Sequence, residues 1–288
     1  RCAISADCGK DVMTPLIDAQ ALAEALTASA PPTVLDVRWK LGGPPGRPEY
    51  ERGHIPGAVY VDLDTELARH GEAVDGRHPL PRIDDLVAAA RSWGLDDGDA
   101  VVVYDDLSGL SAARAWWLLR STGFADVRVL DGGLAAWIAA DGALEAGSNI
   151  PEPGTVKLEY GAMPTLDADA AAQVGQHGVL LDARAPERFR GEVEPIDPRA
   201  GHIPGALSAP TTGNLDPQGR MLAASVLADR FASLGITTGV PVGVYCGSGV
   251  TAAHEVLALE VAGYAAALYP GSWSAWSNEP ARPVATGD

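Results

Sequence analysis

The strongest constraint on this chain is that it is written twice. "VLDVR" at 34–38 returns as "LLDAR" at 180–184, and "GHIPGA" at 53–58 returns unchanged at 201–206. "VVVYD" at 101–105 returns as "VGVYC" at 242–246, and "DGGLAAW" at 131–137 as "PGSWSAW" at 270–276. The landmarks keep one order in both halves, so the chain is a duplication and, with two copies only, not a solenoid. Its 288 residues are about twice the usual ~100–150 of a domain, which gives each copy a core of its own.

Within each copy, short β-branched runs alternate with helical patterns, the mark of a parallel sheet covered by helices. The expected fold is therefore α/β, two tandem units with a mainly parallel sheet each. Strands are expected over 33–37, 101–104 and 127–130, then over 179–182, 241–245 and 266–269. Helices are expected over 18–28, 83–93 and 111–122, then over 166–176, 223–234 and 252–262. The Gly- and Pro-rich stretch 146–160 has neither period and reads as a linker between units 13–145 and 161–288. Residues 1–12 read as a leader before Met13, without an apolar core and without a readable function.

Composition narrows the function. A net charge of −17 disfavours nucleic acid and anionic membranes as partners. No run approaches the ~20 apolar residues of a membrane span. Of the cysteines, Cys2 and Cys8 lie in the leader without histidines at metal-ligand spacing, and no disulfide framework is visible. No metal is expected, and the cytoplasm is the expected compartment.

That leaves Cys246, at the corner where "VGVY" turns into "CGSGVTAAH". Gly247-Ser248-Gly249-Val250-Thr251-Ala252 matches a G-x-G-x-x-A dinucleotide turn, but no acid lies between Glu260 and Glu279 to hold a ribose. A cysteine phosphatase needs an arginine six positions after the nucleophile to grip phosphoryl oxygens, and Ala252 stands there. A buried structural thiol is the bland alternative, yet Gly, Ser, Gly and Thr fill a core poorly. They suit a loop with its N–H groups turned inward, ending at a helix N-terminus, which stabilises a thiolate nucleophile. The repeated "GHIPGA" suits a turn, with Pro56 and Pro204 setting φ and Gly57 and Gly205 free to take positive φ. Its occurrence in both halves favours a structural reading of His54 and His202.

The duplicated "GHIPGA", "DARAPERFRG" at 182–191, "CGSGVTA" at 246–252 and "PGSWSAW" together resemble the two-domain rhodanese-type sulfurtransferases over 13–288. "CGSGVT" is similar to their 3-mercaptopyruvate sulfurtransferase branch. The resemblance implies that Cys246 carries a persulfide, that the first unit, with Asp105 at the matching place, is a silent copy, and that no cofactor is needed. It implies a substrate cradle of Gly247, Gly249, Val250 and Thr251, whose neutrality suits a small thiol acid better than dianionic thiosulfate. Arg188 and Arg199 match the family's substrate-binding arginines, whereas Arg184 reads as structural and Arg190 as solvent-facing. Ser248 would relay a proton together with His54; no aspartate lies between Trp39 and His54, and Glu49 and Glu51 are the nearby acids. The implied partners are a small sulfur donor and a thiol acceptor such as thioredoxin, or cyanide. A thiosulfate:cyanide sulfurtransferase and a non-catalytic sulfur-carrier or interaction module are the alternatives.

Overall fold

The computed structural model describes residues 14–288; the leader, with Cys2 and Cys8, lies outside the described residues. The first copy forms a sheet of β1 (Leu16–Ile17), β2 (Thr33–Asp36), β3 (Val59–Tyr60), β4 (Val101–Tyr104) and β5 (Val127–Leu130), in the order β1-β5-β4-β2-β3. The second forms β6 (Val179–Asp182), β7 (Ala206–Ser208), β8 (Val242–Tyr245) and β9 (Ala267–Leu268), in the order β7-β6-β8-β9. Every strand pair is parallel. β4 and β8 are buried along their whole length, as strands covered by helices on both faces must be. The edge strands β1, β3, β7 and β9 have only two or three residues, and the period-2 signal of β1, β3 and β7 was too short to read.

The duplication extends to single hydrogen bonds. Asp18 and Asp167 cap equivalent helices, Ala19–Leu26 and Ala168–His177, through bonds of 2.7 and 2.8 Å from Ala21 N and Ala170 N. Such a cap satisfies a backbone donor that the first helical turn leaves orphaned. At the strand ends Arg38 pairs with Asp36 and Arg184 with Asp182, each at 2.6 Å, and each arginine also bonds the carbonyl before a GHIPGA histidine, Gly53 or Gly201. Gly57 and Gly205 take φ of 76° and 83° in the turns that follow.

The stretch between the units contains no helix or strand, but it is not loose. Gly154 N and Val156 N donate to Arg91 O and Leu95 O, while Thr155 N and Lys157 N donate to Asp96 and Asp97. This tether binds it to the lower end of the first unit.

One apolar core runs through both units, and each unit keeps a smaller apolar cluster of its own. Helix Ala112–Ser121 of the first packs on helix Thr251–Val261 of the second, with Trp116 and Trp117 fully buried. Arg114, also fully buried, donates to Leu67 O, to His78 O and, across the interface, to Gly249 O at 3.1 Å. Burial pulls its guanidinium down to about 10, so it remains a cation at neutral pH. The Cys246 loop is therefore held by both units. Among the described residues, no helix is long and apolar enough to cross a membrane.

Candidate active site

Cys246 follows β8 directly, at the carboxyl end of the sheet, where ligands bind in open α/β folds. The loop turns into helix Thr251–Val261 by way of Gly249, whose φ of 80° and close approach to Pro270 O, 2.4 Å from any Cβ placed there, admit only glycine. The "PGSWSAW" landmark holds the turn from below. Ser272 Oγ accepts from Cys246 N at 3.1 Å, and Trp273 N and Ser274 N donate to the carbonyls of Cys246 and Gly247. Gly249 N donates to Cys246 Sγ at 3.2 Å. An N–H aimed at sulfur stabilises negative charge there.

The first unit repeats this nest and fills it. Asp105 Oδ1 and Oδ2 accept from four backbone N–H groups, those of Leu107, Gly109, Ser111 and Ala112, at 2.7–2.8 Å. The inward N–H groups of this loop are taken up by its own side chain, and a carboxyl stands where the second unit carries a thiol.

Ser248 meets a histidine, and it is not His54. His78 Nδ1 lies 2.7 Å from Ser248 Oγ. His78 Nε2 lies 3.3 Å from Asp64 Oδ1, which also accepts from Trp39 Nε1 at 2.9 Å. Burial, and secondarily the charge of Arg114, pulls His78 down to about 4 against the opposing pull of Asp64. The imidazole is therefore neutral at neutral pH. With its proton on Nε2 facing Asp64, Nδ1 accepts from the serine hydroxyl, a tautomer assigned from this network. His54 instead bonds Tyr50 O through Nδ1 and stacks on the Tyr50 ring at 4.0 Å. His202 does the same on Phe189, at 3.7 Å. Both GHIPGA histidines are scaffold, because the turn directs them into their own unit. The acid facing the relay is accordingly Asp64, not Glu49 or Glu51.

Two arginines flank Gly247, and one of them also departs from the sequence reading. Arg188 lines the Cys246 pocket, and its NH2 bonds Glu194 at 2.6 Å and Asp197 at 3.2 Å. Arg199 lies elsewhere: its guanidinium donates to the carbonyls of Ser277, Arg282, Trp276 and Glu279 at 2.7–2.8 Å. It satisfies the end of helix Ser272–Asn278, whose last carbonyls lack intrahelical partners. The second guanidinium of the pocket is that of Arg77, from the first unit, which pairs with Asp197 through NH1. Arg184 lines the same wall but is held by Asp182 and Glu194.

The pocket encloses about 250 Å³, between Cys246, Ser248, Arg188, Arg77, Trp39 and Thr211. Val250 and Thr251 also line it. Among the described residues, no group of three potential metal ligands stands together. A larger groove of about 500 Å³ lies beneath Ile236 and Tyr264, away from this loop. The sequence reading missed Arg77 and His78 because they lie in a segment without helical or strand period, and Asp64 because its helix, Leu63–Glu66, is too short to show one. One signal was present: from GHIPGA to the strand at 101 the first copy is seven residues longer than the second, and "GRHPLP" lies in that span.

Paired parallel sheets, with a thiol in the turn of one copy and a carboxyl filling the same turn of the other, define a tandem-repeat class of α/β protein. The family model described as Rhodanese-like domain matches residues 18–140 and 166–279; the chain belongs to the rhodanese family. It is 50% identical over 283 residues to a Pseudomonas aeruginosa protein named as a 3-mercaptopyruvate sulfurtransferase, covering 95% of this chain and 98% of that one. It is 49% identical over 278 residues to a Mycobacterium tuberculosis protein, SseB, named as a thiosulfate sulfurtransferase, covering 94% of this chain and 97% of that one. The crystal structure of the 3-mercaptopyruvate sulfurtransferase SseA from Escherichia coli superposes with a TM-score of 0.81 at 33% identity, over 91% of this chain and 99% of that one.

Proposed function

We propose that the chain is a sulfurtransferase that takes sulfur from 3-mercaptopyruvate as a Cys246 persulfide and passes it to a thiol or to cyanide. The Cys246 thiolate attacks the donor's sulfur, an S–S bond forms and the C–S bond breaks. Its electron pair leaves on carbon 3 as the enolate of pyruvate. The proton that began on the donor thiol ends on that carbon, carried by Ser248 and neutral His78 while Asp64 balances the transient imidazolium. In the second half, an acceptor thiolate or cyanide attacks the outer sulfur and the Cys246 thiolate returns. Arg188, reaching Gly247 from the second unit, receives the donor's carboxylate, and Gly247, Gly249, Val250 and Thr251 form the neutral cradle.

The observation that carries this reading is the Ser248–His78–Asp64 relay beside an uncharged loop. Thiosulfate gives up its sulfur without any proton transfer and would leave that relay idle. The relatives divide between the two donors, so the donor is argued from the loop. Thiosulfate remains the second reading, favoured by the guanidinium groups of the pocket wall. A purely carrier or docking role is disfavoured by an intact nucleophile in a live nest. A small thiol or a thioredoxin-like protein in a reducing cytoplasm is the proposed setting, consistent with Cys246 standing unpaired. Two measurements test the proposal: kcat/KM for mercaptopyruvate against thiosulfate, and a mass gain of about one sulfur atom, roughly 32 Da, on Cys246. A higher kcat/KM for thiosulfate would transfer the assignment to the second reading.

A further inference from the structure

We infer that Arg77 of the first unit and Arg188 of the second form one anion clamp, a pincer with an arm from each domain that grips the donor's carboxylate over Gly247. The inference rests on the proposed sulfurtransferase reading for the identity of the anion. Three observations carry it. First, a Cβ built on Gly247 would lie 2.9 Å from Arg77 NH2 and 3.4 Å from Arg188 NH1, so both guanidinium groups close on one point beside the nucleophile. Second, Asp197 lies between the arginines and bonds both, Arg77 through NH1 and Arg188 through NH2. It fixes one end of each fork, and the ends nearest Gly247, Arg77 NH2 and Arg188 NH1, carry no hydrogen bond among the described residues. Third, Arg77 NH2 and Nε are buried without a hydrogen-bond partner among the described residues. A buried charged donor left unpaired is costly, and an incoming carboxylate oxygen satisfies it.

The clamp also explains why glycine stands at 247, since any side chain there would occupy the carboxylate's place. It assigns a working role to the first unit. Arg77 and His78 are adjacent, so one short segment supplies both an anion arm and the proton acceptor of Ser248. The charges define selectivity as well. Arg77 and Arg188 are matched by Glu194 and Asp197, so the local balance is neutral before substrate enters. The end left on each arginine then favours a planar monocarboxylate, one oxygen to each arm, through directed hydrogen bonds rather than bulk positive charge.

Pyruvate, the product side of the proposed reaction, is the probe, because it carries the carboxylate and no transferable sulfur. Titrated calorimetrically into Cys246→Ser, it should bind, and adding Arg77→Met should weaken it roughly ten- to a hundredfold, the effect of losing a charged hydrogen bond. In the otherwise unaltered enzyme, Arg77→Met should raise KM for mercaptopyruvate by a similar factor and change kcat less than about threefold, since the clamp binds ground and transition states alike. Arg77→Lys keeps the Asp197 ion pair but loses the second arm, so it should weaken pyruvate too and decides the matter if the Met variant does not fold. Pyruvate affinity unchanged in a folded Arg77 variant would overturn the clamp. A wild-type chain that gains no sulfur on Cys246 from mercaptopyruvate would sink the sulfurtransferase reading instead, while pyruvate binding would still decide whether the two arginines act together.

Discussion

Replacing His78 with Ala separates the relay from the rest of the site. The interface anchor from Arg114 goes to the backbone carbonyl of His78, so removing the ring leaves that contact in place. General acid–base assistance contributes about 10²–10⁴ in rate, and kcat for mercaptopyruvate should fall within that range. Turnover of thiosulfate needs no proton and should change less than about threefold. The pH profile adds a second check. An unperturbed histidine would break the profile near ~6.5, whereas His78 is held down to about 4. With mercaptopyruvate, wild-type kcat should therefore be level from neutral pH down to about 5 and fall only as pH approaches 4, where Nδ1 becomes protonated. The same lowered value has a stability consequence. The unfolded histidine takes up a proton first, so the fold loses stability as pH falls from ~6.5 through 4, levelling off on the order of 3 kcal/mol. His254, buried and likewise held down to about 4, adds to that loss. Mercaptopyruvate turnover that survives His78→Ala, or that falls equally in His54→Gln, would refute the relay.

Cys246→Ser should abolish sulfur transfer from either donor, measured as thiocyanate formed from cyanide, with the far-UV circular dichroism unchanged. Arg199→Ala should lower the melting temperature by an amount equivalent to about 3 kcal/mol, because the four carbonyls it gathers at and beyond the end of helix Ser272–Asn278 lose its bonds, while KM for mercaptopyruvate stays within about twofold. Glu255, fully buried behind the loop with Asn214 on one oxygen and no hydrogen bond to the other among the described residues, is pushed by burial up to about 7. The fold is most stable while this carboxyl is protonated, and stability declines as pH rises from its ordinary 4.5 through about 7. Glu255→Gln should then raise the melting temperature at pH ~8 and leave it nearly unchanged at pH ~5; an equal gain at both would show that charge is not the cause.

Much of the architecture is legible in the amino-acid sequence. β4 and β8 read as strands because fully buried parallel strands are continuous apolar runs. The helices Ile83–Ser92 and Ala224–Ser233 fall within a residue of their periodic spans. Short edges such as β3 gave no pattern to count. At the site, the Cys246 loop was legible because its chemistry is local: glycines, hydroxyls and a thiol in consecutive positions. The structural reading of His54 was legible too, since a histidine repeated in a silent copy answers to the turn it sits in. The resemblance nonetheless drew His54 into the relay, and only the stacking on Tyr50 and the bond to its carbonyl remove it.

What the sequence by itself determined is what one segment can specify: a duplicated parallel α/β unit and a glycine-rich turn carrying Cys246 in one copy, with Asp105 at the matching place in the other; that Asp105 fills its own turn came from the tertiary structure. What the tertiary structure also decided is which distant side chains face the Cys246 turn. His78 and Ser248 are 170 positions apart and Arg77 and Asp197 are 120 apart, and each pair joins residues from irregular segments of different units. No period records where such a side chain points. Its direction is set by the packing of helix Ala112–Ser121 on helix Thr251–Val261 and by Arg114, which hold the two units in one orientation. For the same reason two arginines in similar polar loops differ in role: packing turned Arg199 onto the carbonyls of a helix end and left Arg77 facing the pocket.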